Sequence, residues 1–347
     1  MIDKTKIIAL ALAGSAIVAP ALAGDQPVLR IQNYLGVISI QTEKGAALKV
    51  QNTKQGANLD IISNDRNLTI NGGFDEKRNV HCWQEDGDIY YSIGGKRWAK
   101  KQSQKLADQT KLEIIAPPNV RVEIDDSFYR GKIGNIGSGD ISLNHCGDLE
   151  IGNITGPTQL RTHGAGHLTA GNIGAGEIGI YGSGDILVGA TKDIEINLYG
   201  SGKIEAGAIG AADIKLYGSG DISFADAQGD LEATIYGSGN IRGQKVAGGL
   251  QSNSHGSGNI YLTSINGPVS IDIMGSTHIE IEAGRASAFE FEGRGSGSVK
   301  FGGVAVNPDV DIRHSSSHLT LGRVEGRLNA RGQTKRIKIL DQTGDGQ

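Results

Sequence analysis

Four tyrosines stand at one position of a repeated pattern. Tyr181, Tyr199, Tyr217 and Tyr236 each precede a Gly-Ser-Gly tripeptide, at spacings of 18, 18 and 19 residues. The same pre-turn position then holds His255, Met274, Arg294 and His314. A flat aromatic ring with a polar tip suits contact with sugar or protein surfaces, so the row of tyrosines is the candidate ligand-binding stripe. The competing reading is that stacked aromatics cover a corner of the fold and stabilise neighbouring turns of the chain.

The position after each turn reads Asp148, His167, Asp185, Lys203, Asp221, Asn240, Asn259, His278, Ser298 and His318. Acidic residues in such a row raise two sharper chemistries. Calcium binding of the nonapeptide type follows G-G-x-G-x-D-x-U-x. Here Asp directly follows the second glycine, and Lys203 intrudes between Asp185 and Asp221, where a cation needs an oxygen donor. The other chemistry is polysaccharide cleavage by a carboxylate pair. Asp185 and Asp221, two repeats apart, would lie roughly 10 Å from each other, near the upper end for an inverting pair. The Asp-Lys-Asp order also reads as charge compensation between neighbouring strands, and Asp or Asn after glycine is ordinary turn chemistry. The sequence contains no H-E-x-x-H, no nucleophile elbow and no metal-spaced Cys/His cluster. His163 and His167 are four apart, but in a strand-turn context they do not share a helical face. The expectation is a chain without catalytic residues, metal or cofactor.

The elements that position these rows follow from the repeat itself. Aliphatic residues after the turns (Leu149, Leu168, Ile186, Ile204, Ile222, Ile241, Ile260, Ile279, Val299 and Leu319) succeed one another at 18 to 20 residues without a gap. Within each unit the pattern has period two: Ile194, Ile196 and Leu198 face one side, Glu195, Asn197 and Tyr199 the other. That alternation predicts short β-strands with one buried face. A unit this small cannot form its own core, whereas stacked coils bury continuous aliphatic ladders. The fold expected is an all-β parallel β-helix, of the commoner right-handed form, with about 18–20 residues per coil. Glycine at the corners is expected to supply positive φ. In one coil Ser252 and Ser254 replace aliphatics, and their hydroxyls need partners inside.

Residues 1–23 read as a signal peptide: Lys4 and Lys6, an apolar core from Ile7 to Pro20, and Ala21-Leu22-Ala23 before Gly24. No later segment is apolar for long enough to cross a bilayer, so the mature chain is expected in the periplasm or outside the cell. Removing Asp3, Lys4 and Lys6 takes 34 basic and 38 acidic residues to 32 and 37, a net of −5, which argues against a nucleic-acid partner. Glycine, 53 of 347 residues, is explained by the repeat rather than by collagen or disorder. Residues 24–120 read as a β-rich N-terminal region with a polar insertion at about 71–110, in which Arg97 to Leu106 is expected to form a short helix. The β-helix is expected over 121–325, with a C-terminal cap and tail at 326–347. The two cysteines, Cys82 and Cys146, either form a disulfide between insertion and repeats, which export permits, or remain separate thiols.

The run Leu112-Glu113-Ile114-Ile115-Ala116-Pro117, followed by the Gly-Ser-Gly-Asp-Ile series, resembles the GIN-type head domain of autotransporter adhesins, over about residues 30 to 320. The resemblance implies an exported β-helical protein with an adhesin role, and it supplies no catalytic residues. The autotransporter translocator domain has no counterpart in this sequence. The expected function is that of a non-enzymatic adhesin or envelope-binding protein whose elongated surface meets a glycan or cell-surface component. A glycan-active lyase or hydrolase, and a purely structural envelope component, are the alternatives.

Overall fold

The computed structural model describes residues 26–54, 59–75, 79–94, 103–313 and 316–341. The segment read as a signal peptide, together with Trp98 and His314, lies outside these residues. Each repeat contributes two short strands, one to each of two 15-stranded sheets, and every strand pairs in parallel with its counterpart one coil away. Twelve coils run from Arg121 to Asp341, so the ladders continue past residue 325: Asn329–Gly332 pairs with Asp309–Ile312, and Ile337–Asp341 with His318–Glu325. The protein is a parallel β-solenoid.

Alternation does the packing. Ile178, Ile196, Ile214 and Ala233 stack in one internal ladder, and Ile186, Ile204, Ile222 and Ile241 face them from the other sheet. These residues belong to one contiguous buried cluster that extends from Leu29 to Leu321. Each full burial of such a side chain contributes about 1.5–3 kcal/mol, which is how coils of 18 to 20 residues can be stable only as neighbours. Ser252 and Ser254 do sit inside, between Ala233 and Ile271 and between Ile235 and Ile273. The Ser254 hydroxyl bonds to Thr277, whereas Ser252 Oγ has no hydrogen-bond partner.

The N-terminal region enters the same two sheets out of chain order. Val28–Gln32 lies between Arg121–Asp125 and Asn67–Asn71, and Leu35–Thr42 lies between Phe128–Ile133 and Thr110–Ala116. The first coil of the chain is therefore sandwiched between two later ones. Buried Tyr34 pins it there, its hydroxyl donating to the Thr110 carbonyl at 2.6 Å. Lys49–Lys54 and Asp60–Ser63 then run antiparallel along the outermost strands and close this end of the sheets. Between Asn71 and Thr110 a small antiparallel sheet (Val80–Glu85, Asp88–Ile93, Gln104–Lys105) projects from the coil. The helix expected over Arg97 to Leu106 is not formed in its described part. Gln104–Lys105 pairs with Tyr90 and Tyr91, and Leu106–Asp108 is a 3-10 turn. Burial of Leu106 against Ile89, Tyr91 and Phe128 overrides the local helical preference. Cys82 and Cys146 are joined, Cα atoms 6.0 Å apart, which fastens the insertion to the turn before Asp148.

The corner glycines act differently from the expectation. None of the Gly-Ser-Gly residues lies in the left-handed region. Gly200 and Gly218 are needed because of the neighbouring coil: a Cβ on either would overlap the carbonyl oxygen of Gly182 or Gly200 one coil below. The corner is tight between coils rather than within one. Gly200→Ala is expected to force coils apart and lower stability by about 1–3 kcal/mol, read as a lower urea midpoint. Replacing Cys82 and Cys146 by Ser should cost about 2–4 kcal/mol. Limited proteolysis should then cut first within the 72–109 insertion while the solenoid stays resistant.

Candidate functional site

The ridge of rings is a direct product of the ladder. Strands Gly176–Ile180, Ile194–Leu198, Ala212–Leu216 and Leu231–Ile235 are in register, and a tyrosine follows each. The register extends through the tyrosines, whose amides donate to Thr162, Ile180, Leu198 and Leu216 at 2.8–2.9 Å. Each ring therefore stands one coil above the last. Tyr181, Tyr199, Tyr217 and Tyr236 stack with centroids 5.1, 4.5 and 5.0 Å apart and planes within 11° of parallel. His163 extends the stack at one end and His255 at the other, each 5.0 Å from its neighbour. The tyrosines remain 40–50% exposed.

Stacking decides which part of each ring is available. The faces of the four tyrosines are turned to one another, so the solvent meets ring edges and a row of phenol hydroxyls, one per coil. Six rings at the ~4.8 Å interstrand spacing make a ridge roughly 24 Å long. The sequence placed His255 in this row. His163 was missed, although it too precedes a degenerate turn, Gly164-Ala165-Gly166. Burial, with Arg161 nearby, holds the His163 imidazole below its ordinary range. Beyond His255 the row changes character: Met274 is exposed, and Arg294 pairs with Asp272 (2.6 Å) and Glu292 (3.2 Å).

The row after the turn is engaged in holding coils together. Asp185 Oδ1 accepts from the Lys203 amide at 2.8 Å. Asp221 Oδ1 accepts from the Asn240 amide at 2.9 Å and from its Nδ2 at 2.8 Å. Asn259 Nδ2 donates to Asn240 Oδ1 (2.9 Å), and Asn259 Oδ1 accepts from the His278 amide (3.1 Å). The Lys203 ammonium turns to Glu205 on its own strand. The Asp-Lys hydrogen bond is thus made through the backbone, while the charges of Asp185 and Asp221 still act on the Lys203 ammonium across the strands. A second row of this kind escaped the sequence reading. Asn135, Asn153 and Asn172 each accept, at 2.8–2.9 Å, from a backbone amide one coil on, and Asp193, in a separate column, accepts likewise from the Ala211 amide at 2.9 Å. Its signal was the recurring Gly-Asn-Ile of Gly134, Gly152 and Gly171. On the outer face of the first sheet Lys215 sits 2.9 Å from both Glu195 and Asp213, and its hydrogen bond holds the Glu195 carboxyl below the usual range. Among the described residues no group of three or more His, Cys, Asp or Glu is placed to hold a metal ion.

The family model described as "putative auto-transporter adhesin, head GIN domain" matches residues 102–246 and again 212–335. The chain belongs to the GIN-domain family. The two matches overlap, as befits a GIN domain built of stacked, similar coils, and the four tyrosines lie in the first of them. No curated protein and no solved structure matches the chain. In this GIN domain Asp221→Ala should behave as a structural change. It leaves two donors of Asn240 without their acceptor and is expected to cost about 1–3 kcal/mol in urea denaturation.

Proposed function

We propose that the protein is an exported, non-enzymatic recognition rod that lays its aromatic ridge along a glycan or another extended component of a cell envelope. The observation that carries this reading is the ridge itself: four tyrosines, half exposed, repeated in register at one corner of a rigid solenoid. Ring edges and phenol hydroxyls recurring once per coil offer a linear ligand the same contact several times over. Tyrosine supplies such contacts at low conformational cost, having a stiff apolar body and a polar tip. The family description agrees with an adhesin role. Export is supported by the leader-like pattern of residues 1–23 and by the disulfide, which suits an oxidising compartment. No helix among the described residues is long and apolar enough to cross a membrane. Asp185 and Asp221 each give Oδ1 to a neighbouring amide and Oδ2 to His167 (3.3 Å) or Arg242 (3.7 Å), which supports recognition over hydrolysis.

The test is a glycan-array and envelope-fraction binding screen of the mature chain. It runs beside a variant with Tyr181, Tyr199, Tyr217 and Tyr236 changed to Ser and another with all four changed to Phe. Both variants should keep the β-rich circular dichroism spectrum. The Ser variant should also melt lower, because each stacked pair contributes about 0.5–1.5 kcal/mol. Binding lost in the Ser variant and weakened in the Phe variant supports the ridge. Equal binding by all three proteins, with only the melting temperature changed, makes the ridge a structural corner. Bond cleavage in a bound glycan, abolished by Asp185→Asn or Asp221→Asn, would establish the enzymatic alternative instead.

A further inference from the structure

The ring stack stops at His163. Leu143 pairs with Thr162 in the parallel register, so Asn144 occupies the place beneath His163 where each of the next five coils carries a ring on its neighbour. An asparagine side chain is shorter than a tyrosine. The ridge therefore steps down into a depression of about 340 Å³, lined by Asp125, Asp126, Asn144, His145 and exposed His163. Small-molecule sites occupy roughly 300–1,000 Å³, so the space suits one small ring system.

The lining has a definite chemistry. Among the described residues, neither the Asp125 nor the Asp126 carboxylate is taken up by an ion pair or a side-chain hydrogen bond, and the charge of Asp125 acts on His163. The guanidinium of Arg161, whose charge reaches His163, is committed to Asp140 at 3.3 Å and Glu177 at 3.8 Å. His145 Nε2 is buried with no hydrogen-bond partner. Burial lowers the affinity of both imidazoles for protons, with Asp125 acting in the opposite sense on His163. Asp126 and His145 adopt positive φ, 49° and 61°, a conformation Asp and His tolerate better than most residues other than glycine. Acceptors outnumber donors here, and an aromatic edge and part-face stand beside them.

We propose that this depression is the terminal subsite of the ridge. It takes one uncharged or amine-bearing sugar ring that continues the stack against His163 and donates hydroxyl or ammonium hydrogens to Asp125 and Asp126. Sugars carrying carboxylate or sulfate are repelled by the same two aspartates. The proposal rests on the ridge being a glycan-recognition surface and adds its end point and its charge preference.

Calorimetry and saturation-transfer NMR on the full mature chain test it, with neutral hexose oligomers, chitosan oligomers and oligogalacturonate as probes. Two variants are compared with the parent: Asp125→Asn with Asp126→Asn, which keeps shape and tolerates the same backbone, and Asn144→Tyr, which fills the step with a seventh ring. Neutral or amino-sugar binding should weaken at least about tenfold in both, the loss expected when charged acceptors are removed or the space is closed. Oligogalacturonate should not bind the parent. Should Asn144→Tyr misfold by circular dichroism, the double Asn variant alone decides. Sugar binding that survives the double Asn variant but is lost with the four-Ser variant overturns the subsite and leaves the ridge intact. Preferential oligogalacturonate binding overturns the subsite as well. A parent that binds none of the three probes overturns the subsite and the ridge's glycan reading together.

Discussion

The parallel hydrogen-bond register between coils is the constraint on which everything else depends. It sets each residue ~4.8 Å from its counterpart one coil away and allows no lateral choice. Whatever side chain a position carries is thus repeated as a column. Aliphatic columns make the core, Asn and Asp side-chain oxygens accept from backbone amides one coil on, and the pre-turn column makes the ring stack. The glycine column is the same rule seen from inside: at Gly200 and Gly218 the backbone of the next coil fills the space a Cβ would need. A surface built this way has no loops to order, so any ligand it met would lose less entropy on binding.

The sequence disclosed what recurs. The period, the alternation, the two faces and the four tyrosines could all be read because a solenoid writes one position many times. What it concealed were features made by single coils or by non-local pairing. Nothing local in Val28 to Thr42 says that this coil will be sandwiched between two that follow it in the chain. Gln104 and Lys105 look helical until Tyr90 and Tyr91 offer a strand edge. His163 was hidden for a different reason: its turn, Gly164-Ala165-Gly166, continues the series by a step of 18, but a single imidazole ahead of the first tyrosine is seen as part of the row only when the register sets it against Tyr181. The glycines were found for the wrong reason, since sequence shows that a Cβ is absent but not whether a dihedral or a neighbour excludes it.

The coils are not equal in length, yet the ridge is regular, and the location of the extra residues explains how. Strands of the second sheet grow from four residues in Asp185–Val188 and Asp221–Phe224 to seven in Asn240–Val246 and nine in His278–Ala286. Strands of the first sheet before the rings stay at five, from Gly176–Ile180 to Leu250–Ser254. The additions fall at the far end of the second strand, away from the turn. In the longest coils they are absorbed by register shifts between Ile281 and Arg285 and between Phe301 and Val304. A bulge takes up an extra residue locally and leaves the pairing on either side intact. Had a residue entered between strand and turn instead, the pre-turn side chains of the coils beyond it would have left their column. Length variation is therefore tolerated at one corner and excluded from the other. The same constancy holds at Met274 and Arg294, where no ring stands, so it follows from the corner glycines, whose Cβ positions at Gly275 and Gly295 are filled by the backbone of the coil below as at Gly200 and Gly218.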